Sequence, residues 1–169
     1  MTEFLEVKAE SINENTFKLI GSDWMLIAAE KDQKVNAMTA SWGGLGVIWE
    51  KNVAYVVIRP QRFTKEFVDH ADTFSLTFFD EGFKKQLGYM GAVSGRDEDK
   101  IAKSGLTVAH SGDTPYFSEA KLVLICRRLF AQGLKPEGFV DQDMIGKFYP
   151  DGDFHVLYVA EIEKALVRA

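Results

Sequence analysis

At 169 residues and 19.0 kDa the chain has the length of one domain, long enough to bury most of the surface its unfolded form exposes. A formal charge of −5 opposes nucleic acid as a partner, although a local basic pocket can still hold a small phosphate. One cysteine rules out an intrachain disulfide, no apolar stretch approaches the length of a membrane span, and the N-terminus lacks the basic start and apolar run of a secretion signal, so a cytoplasmic protein is expected.

In chain order, residues 4–8 read as an edge strand or arm, and the polar run 11–16 as a loop. Residues 24–30 are an apolar run of strand length, and the polar turn 31–34 returns the chain into a second strand over 35–39. That hairpin delivers residues 36–46, the stretch around which the rest is organised. Thr39 and Ser41 lie two apart, so on an extended backbone their hydroxyls share one side while Met38 and Ala40 point to the other. Gly43, Gly44 and Gly46 permit a sharp turn and close approach to the backbone, which lets the stretch wrap a flat, partly anionic ligand. The alternative is an ordinary strand ending in a loop.

Val47, Ile48 and Trp49 precede a turn expected at Lys51-Asn52, after which residues 53–58 are β-branched enough for a buried strand. The segment 59–64 has Arg59 and Arg62 three apart, followed by Thr64 as the expected N-cap of a helix over 65–71. A helix start beside two guanidinium groups suits a phosphate; two solvated surface arginines are the alternative. Residues 73–79 alternate, with Phe74, Leu76 and Phe78 on one face and Ser75 and Thr77 on the other. A short helix is expected over 83–90, then a loop over 91–97 whose Asp97 caps a helix ending at Gly105. Ser94, Arg96 and Lys100 are candidate ligand contacts there, against a merely solvated, charged helix start. Residues 121–132 and 154–162 are the last two strands, and the excursion between them holds at most one short helix near 142–148. This succession predicts a mainly β fold, a closed or half-closed barrel with a few short helices.

Several common enzyme signatures are missing: no Walker loop, no G-x-S-x-G elbow, no H-E-x-x-H helix and no G-x-G-x-x-G. His70, His110 and His155 are widely separated and near no cysteine pair, so no metal site is expected. Cys126 reads as a small buried hydrophobe in an apolar strand. His155 fits either the mouth of a ligand pocket or a satisfied strand position.

Four runs, N-A-M-T-A-S-W-G-G at 36–44, R-P-Q-R-F-T at 59–64, S-G-R-D-E-D-K at 94–100 and G-D-F-H at 152–155, resemble in order and spacing the flavin reductase-like FMN-binding split-barrel family, especially its flavoredoxin-like branch. The resemblance covers nearly the whole chain and implies a single Greek-key split β-barrel domain over residues 1–169, homodimeric, with FMN near the subunit interface. It implies that Asn36, Met38, Thr39, Ala40, Ser41 and Trp42 line the isoalloxazine and ribityl chain, that Arg59, Arg62 and Thr64 hold the phosphate, and that Phe63 is among the cofactor contacts. Ser94, Arg96 and Lys100 match the second loop, and His155 matches a histidine on the flavin side. Phe63 stands where many relatives have Tyr, and Met90 where some have Cys, which leaves no thiol at that position. The implied function is an FMN-dependent oxidoreductase taking reducing equivalents from NADH or NADPH to an acceptor; a non-catalytic flavin-binding or electron-carrier protein is the alternative. Because the flavin carries the redox step, the lack of an acid–base constellation does not count against this class.

Overall fold

The computed structural model describes residues 3–169. In chain order the elements are β1 (Phe4–Val7), α1 (Thr16–Lys18) running into a π-helical turn (Leu19–Asp23), β2 (Met25–Lys31), β3 (Lys34–Ala40), β4 (Gly43–Ile48), β5 (Lys51–Ile58), α2 (Phe63–His70), β6 (Thr73–Phe78), α3 (Lys84–Ala92), α4 (Lys100–Ser104), β7 (Val108–Ser111), β8 (Thr114–Phe117), β9 (Leu122–Gly133), α5 (Asp143–Phe148) and β10 (Val156–Arg168). Eight strands form one antiparallel sheet in the order β3-β2-β6-β9-β10-β5-β4, with β1 paired to the far half of β10.

The two ends of that path, β3 and β4, are consecutive in sequence and joined only by Ser41 and Trp42. The sheet therefore curls until its edges meet at a covalent link without a hydrogen-bonded ladder between them, which is a split barrel. Its curvature comes from β9 and β10, whose pairing shifts register between Val159 and Ala160 and again between Ile162 and Lys164; such bulges bend a strand. β10 runs to Arg168, beyond the expected end at 162, because its second half pairs with β1 while Glu163 and Lys164 face solvent.

Two hairpins set the register. Asp32 and Gln33 (φ 51° and 61°) and Trp49 and Glu50 (φ 55° and 57°) are both left-handed pairs, as a two-residue turn matched to strand twist requires. The second turn lies two residues before the expected Lys51-Asn52: those residues pair with Ile48 and Val47 and belong to β5.

Inside the barrel, Ile27, Val56, Ile58, Phe74, Leu76, Phe78, Leu124, Cys126 and Tyr158 form the main core. Fully burying one of these large apolar side chains stabilises the fold by roughly 1.5–3 kcal/mol. A second core lies outside the barrel, where Leu26, Ala28 and Ala37 meet Leu87 and Met90 of α3, Leu106, and Phe117 of β8. β2 is thus apolar on both faces, which explains why its sequence is a continuous run and not an alternation. The β7–β8 hairpin, not foreseen from sequence, covers the outer face of β6: Ser75 Oγ donates to the Pro115 carbonyl at 2.6 Å, so this polar face is buried. The run 11–16, expected as a loop, contains Asn15, whose side chain caps α1 by accepting from the Lys18 amide at 3.1 Å.

Candidate functional site

The open seam between β3 and β4 holds a cavity of about 230 Å3 lined by Met38, Thr39, Ala40, Ser41, Trp42, Val57, Arg59, Arg62 and His155. Three of these come from β3 and two from the link that closes the barrel, so the split itself creates the site. Thr39 donates its hydroxyl to the Leu87 carbonyl of α3 at 2.5 Å, whereas the Ser41 hydroxyl has no partner among the described residues and remains available to a ligand. Trp42, 43 % exposed, stands at the mouth with its ring edge-on to Phe148 at 5.4 Å.

Arg62 joins this cavity to a smaller one of about 120 Å3, lined by Asn36, Gln61, Phe63, Thr64, Ser94, Gly95 and Lys100 among others. α2 begins two residues earlier than expected. Arg62, not Thr64, occupies the N-cap, and it makes no side-chain capping bond. Thr64 is instead buried in the first turn, where its hydroxyl accepts from the Asn36 side-chain amide at 2.8 Å and ties β3 to α2. Gly95 is required opposite them, since a Cβ there would collide with the Asn36 side-chain oxygen and press on the Phe63 ring at 3.2 Å. Asp99, not Asp97, caps α4 by accepting from the Ala102 amide at 3.1 Å, which makes Lys100 the first helical residue and turns it inward.

Lys100 is 3 % exposed and donates to the Met90 and Val93 carbonyls at 2.9 and 3.0 Å. Arg62 is half-buried and donates to the Gly91 carbonyl at 3.2 Å. Neither pairs with a carboxylate among the described residues. Burial, then the nearby Arg62 charge, pushes the Lys100 ammonium down to about 8. Two desolvated cations held together in a chain of net charge −5 make a site whose electrostatics are completed by an anion, with the free amides of the α2 first turn beside them. Past Lys100 the cradle opens into a wider groove lined by Lys34, Val35, Phe67, Arg96 and Ile101, so the far side of the cation pair is not walled off.

The two arginines of the 59–64 segment thus separate in role. Arg59 bonds Asp153 Oδ2 at 2.7 Å, the Phe148 carbonyl at 3.0 Å and the Asp153 carbonyl at 3.3 Å, and lies over the Tyr149 ring. Its guanidinium is engaged in anchoring the 148–153 loop. Arg96 is likewise a strut, bonded to Glu66 at 2.5 Å and the Gln61 carbonyl at 3.0 Å and stacked over Phe63. His155, only 7 % exposed, closes the cavity floor, with Nδ1 and the Tyr149 hydroxyl 2.7 Å apart. Burial, followed by the Arg59 charge, lowers His155 to about 4, so it is neutral at pH 7.

Every sequence-derived candidate therefore lines or braces one continuous depression. Val57, Tyr149 and the 91–93 backbone were missed; the first reads as core in any strand, and the others carry no motif of their own. Cys126 lies wholly buried in the core, where desolvation raises its thiol far above the ordinary range.

The flavin reductase like domain model matches residues 17–169. No curated protein matches the sequence significantly. Among solved structures, an FMN-binding domain of a flavin reductases-like enzyme from Shewanella baltica OS155 aligns with a TM-score of 0.71 at 18 % identity, over 99 % of this chain and 78 % of the other. A flavoredoxin from Methanosarcina acetivorans aligns at 0.66 with 25 % identity, over 94 % and 75 %. An FMN-binding protein from Thermus thermophilus aligns at 0.67 with 21 % identity, over 94 % and 79 %. From residue 17 to its last residue, this chain belongs to the flavin reductase like domain family.

Proposed function

We propose that this protein is an FMN-dependent oxidoreductase of the flavin reductase or flavoredoxin type, taking reducing equivalents from NADH or NADPH to an acceptor. The observation that carries the reading is the pair of desolvated cations, half-buried Arg62 and buried Lys100, without a carboxylate partner among the described residues, at one end of a cavity lined by extended backbone. A phosphate monoester fits between them, and the ring end of the same molecule fits the seam. FMN, when bound, supplies the hydride and electron chemistry. The chain's own part is to hold and tune. Met38, Thr39 and Ala40 offer strand backbone along one side of the seam, Ser41 offers an unpartnered hydroxyl, and Trp42 shields the mouth from water.

Anaerobic addition of NADH or NADPH to the FMN-loaded protein is expected to bleach the flavin absorbance on a catalytic timescale. Flavin that stays yellow with both nucleotides would reduce the protein to a flavin binder or carrier.

The same reading makes the protein a cytoplasmic homodimer with the flavin site near the interface. Supporting it, the end strand β4 and its neighbours expose Val47 (71 %), Ile48, Trp49 (57 %), Tyr55 and Phe130, with the Trp49 and Phe130 rings 6.4 Å apart. Exposed apolar side chains gathered on these neighbouring strands are of the kind a second copy would cover. Sedimentation of the FMN-loaded protein at micromolar concentration is expected to show twice the 19.0 kDa chain mass. A 19.0 kDa species would remove the shared interface. No helix among the described residues is long and apolar enough to cross a membrane.

A further inference from the structure

Tyr149 is buried at the end of α5, and its hydroxyl has one side-chain partner among the described residues, His155 Nδ1 at 2.7 Å. A buried phenol must place its single proton on a partner, and Nδ1 is the acceptor within reach. In a neutral imidazole that accepts at Nδ1, the proton sits on Nε2. Nε2 has no hydrogen-bond partner among the described residues, yet it is not among their sealed, unsatisfied polar atoms. The opening left to it is the seam cavity, which His155 lines.

We propose that Tyr149 is a positioning residue that locks His155 in the Nε2–H tautomer, presenting a fixed neutral hydrogen-bond donor to an acceptor oxygen, of the carbonyl class, on the heterocycle in the seam. The arrangement is braced from both sides. Arg59 stacks over the Tyr149 ring and holds Asp153 and the Phe148 carbonyl, and the Trp42 ring lies 5.3 Å from the imidazole. Arg59 and Asp153 are the charged groups that act on His155, and they oppose one another. A neutral donor of this kind can orient a carbonyl and draw electron density from its ring without serving as a base.

The use of this donor rests on the proposed flavin reading; the tautomer does not. Long-range proton–nitrogen correlation spectra of histidine-labelled, FMN-loaded protein at pH 7 are expected to show His155 protonated at Nε2 alone. In Tyr149→Phe they are expected to show a mixture of tautomers, with the histidine titrating at higher pH because a bond favouring its neutral form is gone. Reduction by NADH or NADPH is expected to slow about tenfold in the variant, the scale of one misaligned hydrogen bond. Wild-type His155 protonated at Nδ1, or an unchanged tautomer in Tyr149→Phe, overturns the proposal. If the spectra agree but neither nucleotide reduces the flavin, the tautomer lock stands and the oxidoreductase reading fails. A shift of the Nε2–H resonance on adding FMN assigns the acceptor to the flavin. If it moves only on adding a redox-inert nicotinamide analogue, the acceptor is the nicotinamide carboxamide.

Discussion

Replacing Arg62 with alanine weakens FMN binding about tenfold to more than a hundredfold and leaves riboflavin binding nearly unchanged, the loss expected when one charge-assisted hydrogen bond to a phosphate is removed. Which charges are uncommitted decides the outcome. Arg59 and Arg96 already bond carboxylates, whereas Arg62 and Lys100 do not. A phosphate monoester is largely dianionic at neutral pH and satisfies both, and FAD offers only a singly charged phosphate at the same place. FMN is therefore favoured by charge, even though the groove beyond Lys100 leaves room for a longer molecule. Calorimetric titration of wild type and variant with FMN, FAD and riboflavin separates these terms; equal weakening for FMN and riboflavin would transfer Arg62 to a role in the fold or the ring site.

The same pocket predicts a pH signature. Lys100 titrates near 8 in the free protein against an ordinary 10.5. FMN binding favours the ammonium form, so affinity falls as pH rises above about 8 while riboflavin affinity does not. Stability moves the other way. Between about 8 and 10.5 the unfolded chain binds more protons at this lysine than the folded one, so cofactor-free protein gains stability with pH across that window. Loss of binding with no loss of fold identifies the ammonium as the ligand. In Arg62→Ala a like charge is removed, and the fall in affinity shifts to higher pH.

Gly43→Ala costs about 3 kcal/mol or more of folding stability, the range of a strained backbone combined with a forced clash. Gly43 sits at φ 151°, and a Cβ there would overlap the carbonyl oxygen of Tyr55 on the neighbouring strand. Both partners are backbone, held by the Gly43↔Val56 register, so relief requires opening the β4–β5 ladder where the barrel closes. Gly44→Ala is the control. Its Cβ would meet only the Tyr55 ring, which is 42 % exposed and free to swing into solvent, so the cost stays under about 1 kcal/mol. Urea unfolding of the two variants is the measurement, and equal midpoints would discard the backbone argument. The larger loss corresponds to a fall in Tm of about 6–12 °C for a domain of this size.

The strands that alternate or run apolar were legible because their periodicity is local: β6 shows its inward Phe74, Leu76 and Phe78 directly, and β2 and β5 announce burial by composition. The four motifs were legible too, and with them the family. What stayed hidden depends on atoms far away in sequence. The β7–β8 hairpin has little pattern of its own and is ordered by covering Ser75. Thr64 and Asp97 carry the right chemistry for caps, yet Asn36 claims the first and Asp99 does the second's work, because helix ends are settled by packing as much as by residue type. Arg59 and Arg62 look equivalent three residues apart. Only the return of the chain at Asp153, more than ninety residues on, neutralises one and leaves the other facing Lys100. Likewise Tyr149 matches no motif, and its bond to His155 exists because the end of α5 folds back on the start of β10. Residue type and spacing determine which chemistry is present; the free energy of charge and hydrogen-bond pairing depends on three-dimensional neighbours, so which group remains available to a ligand is decided by the tertiary fold.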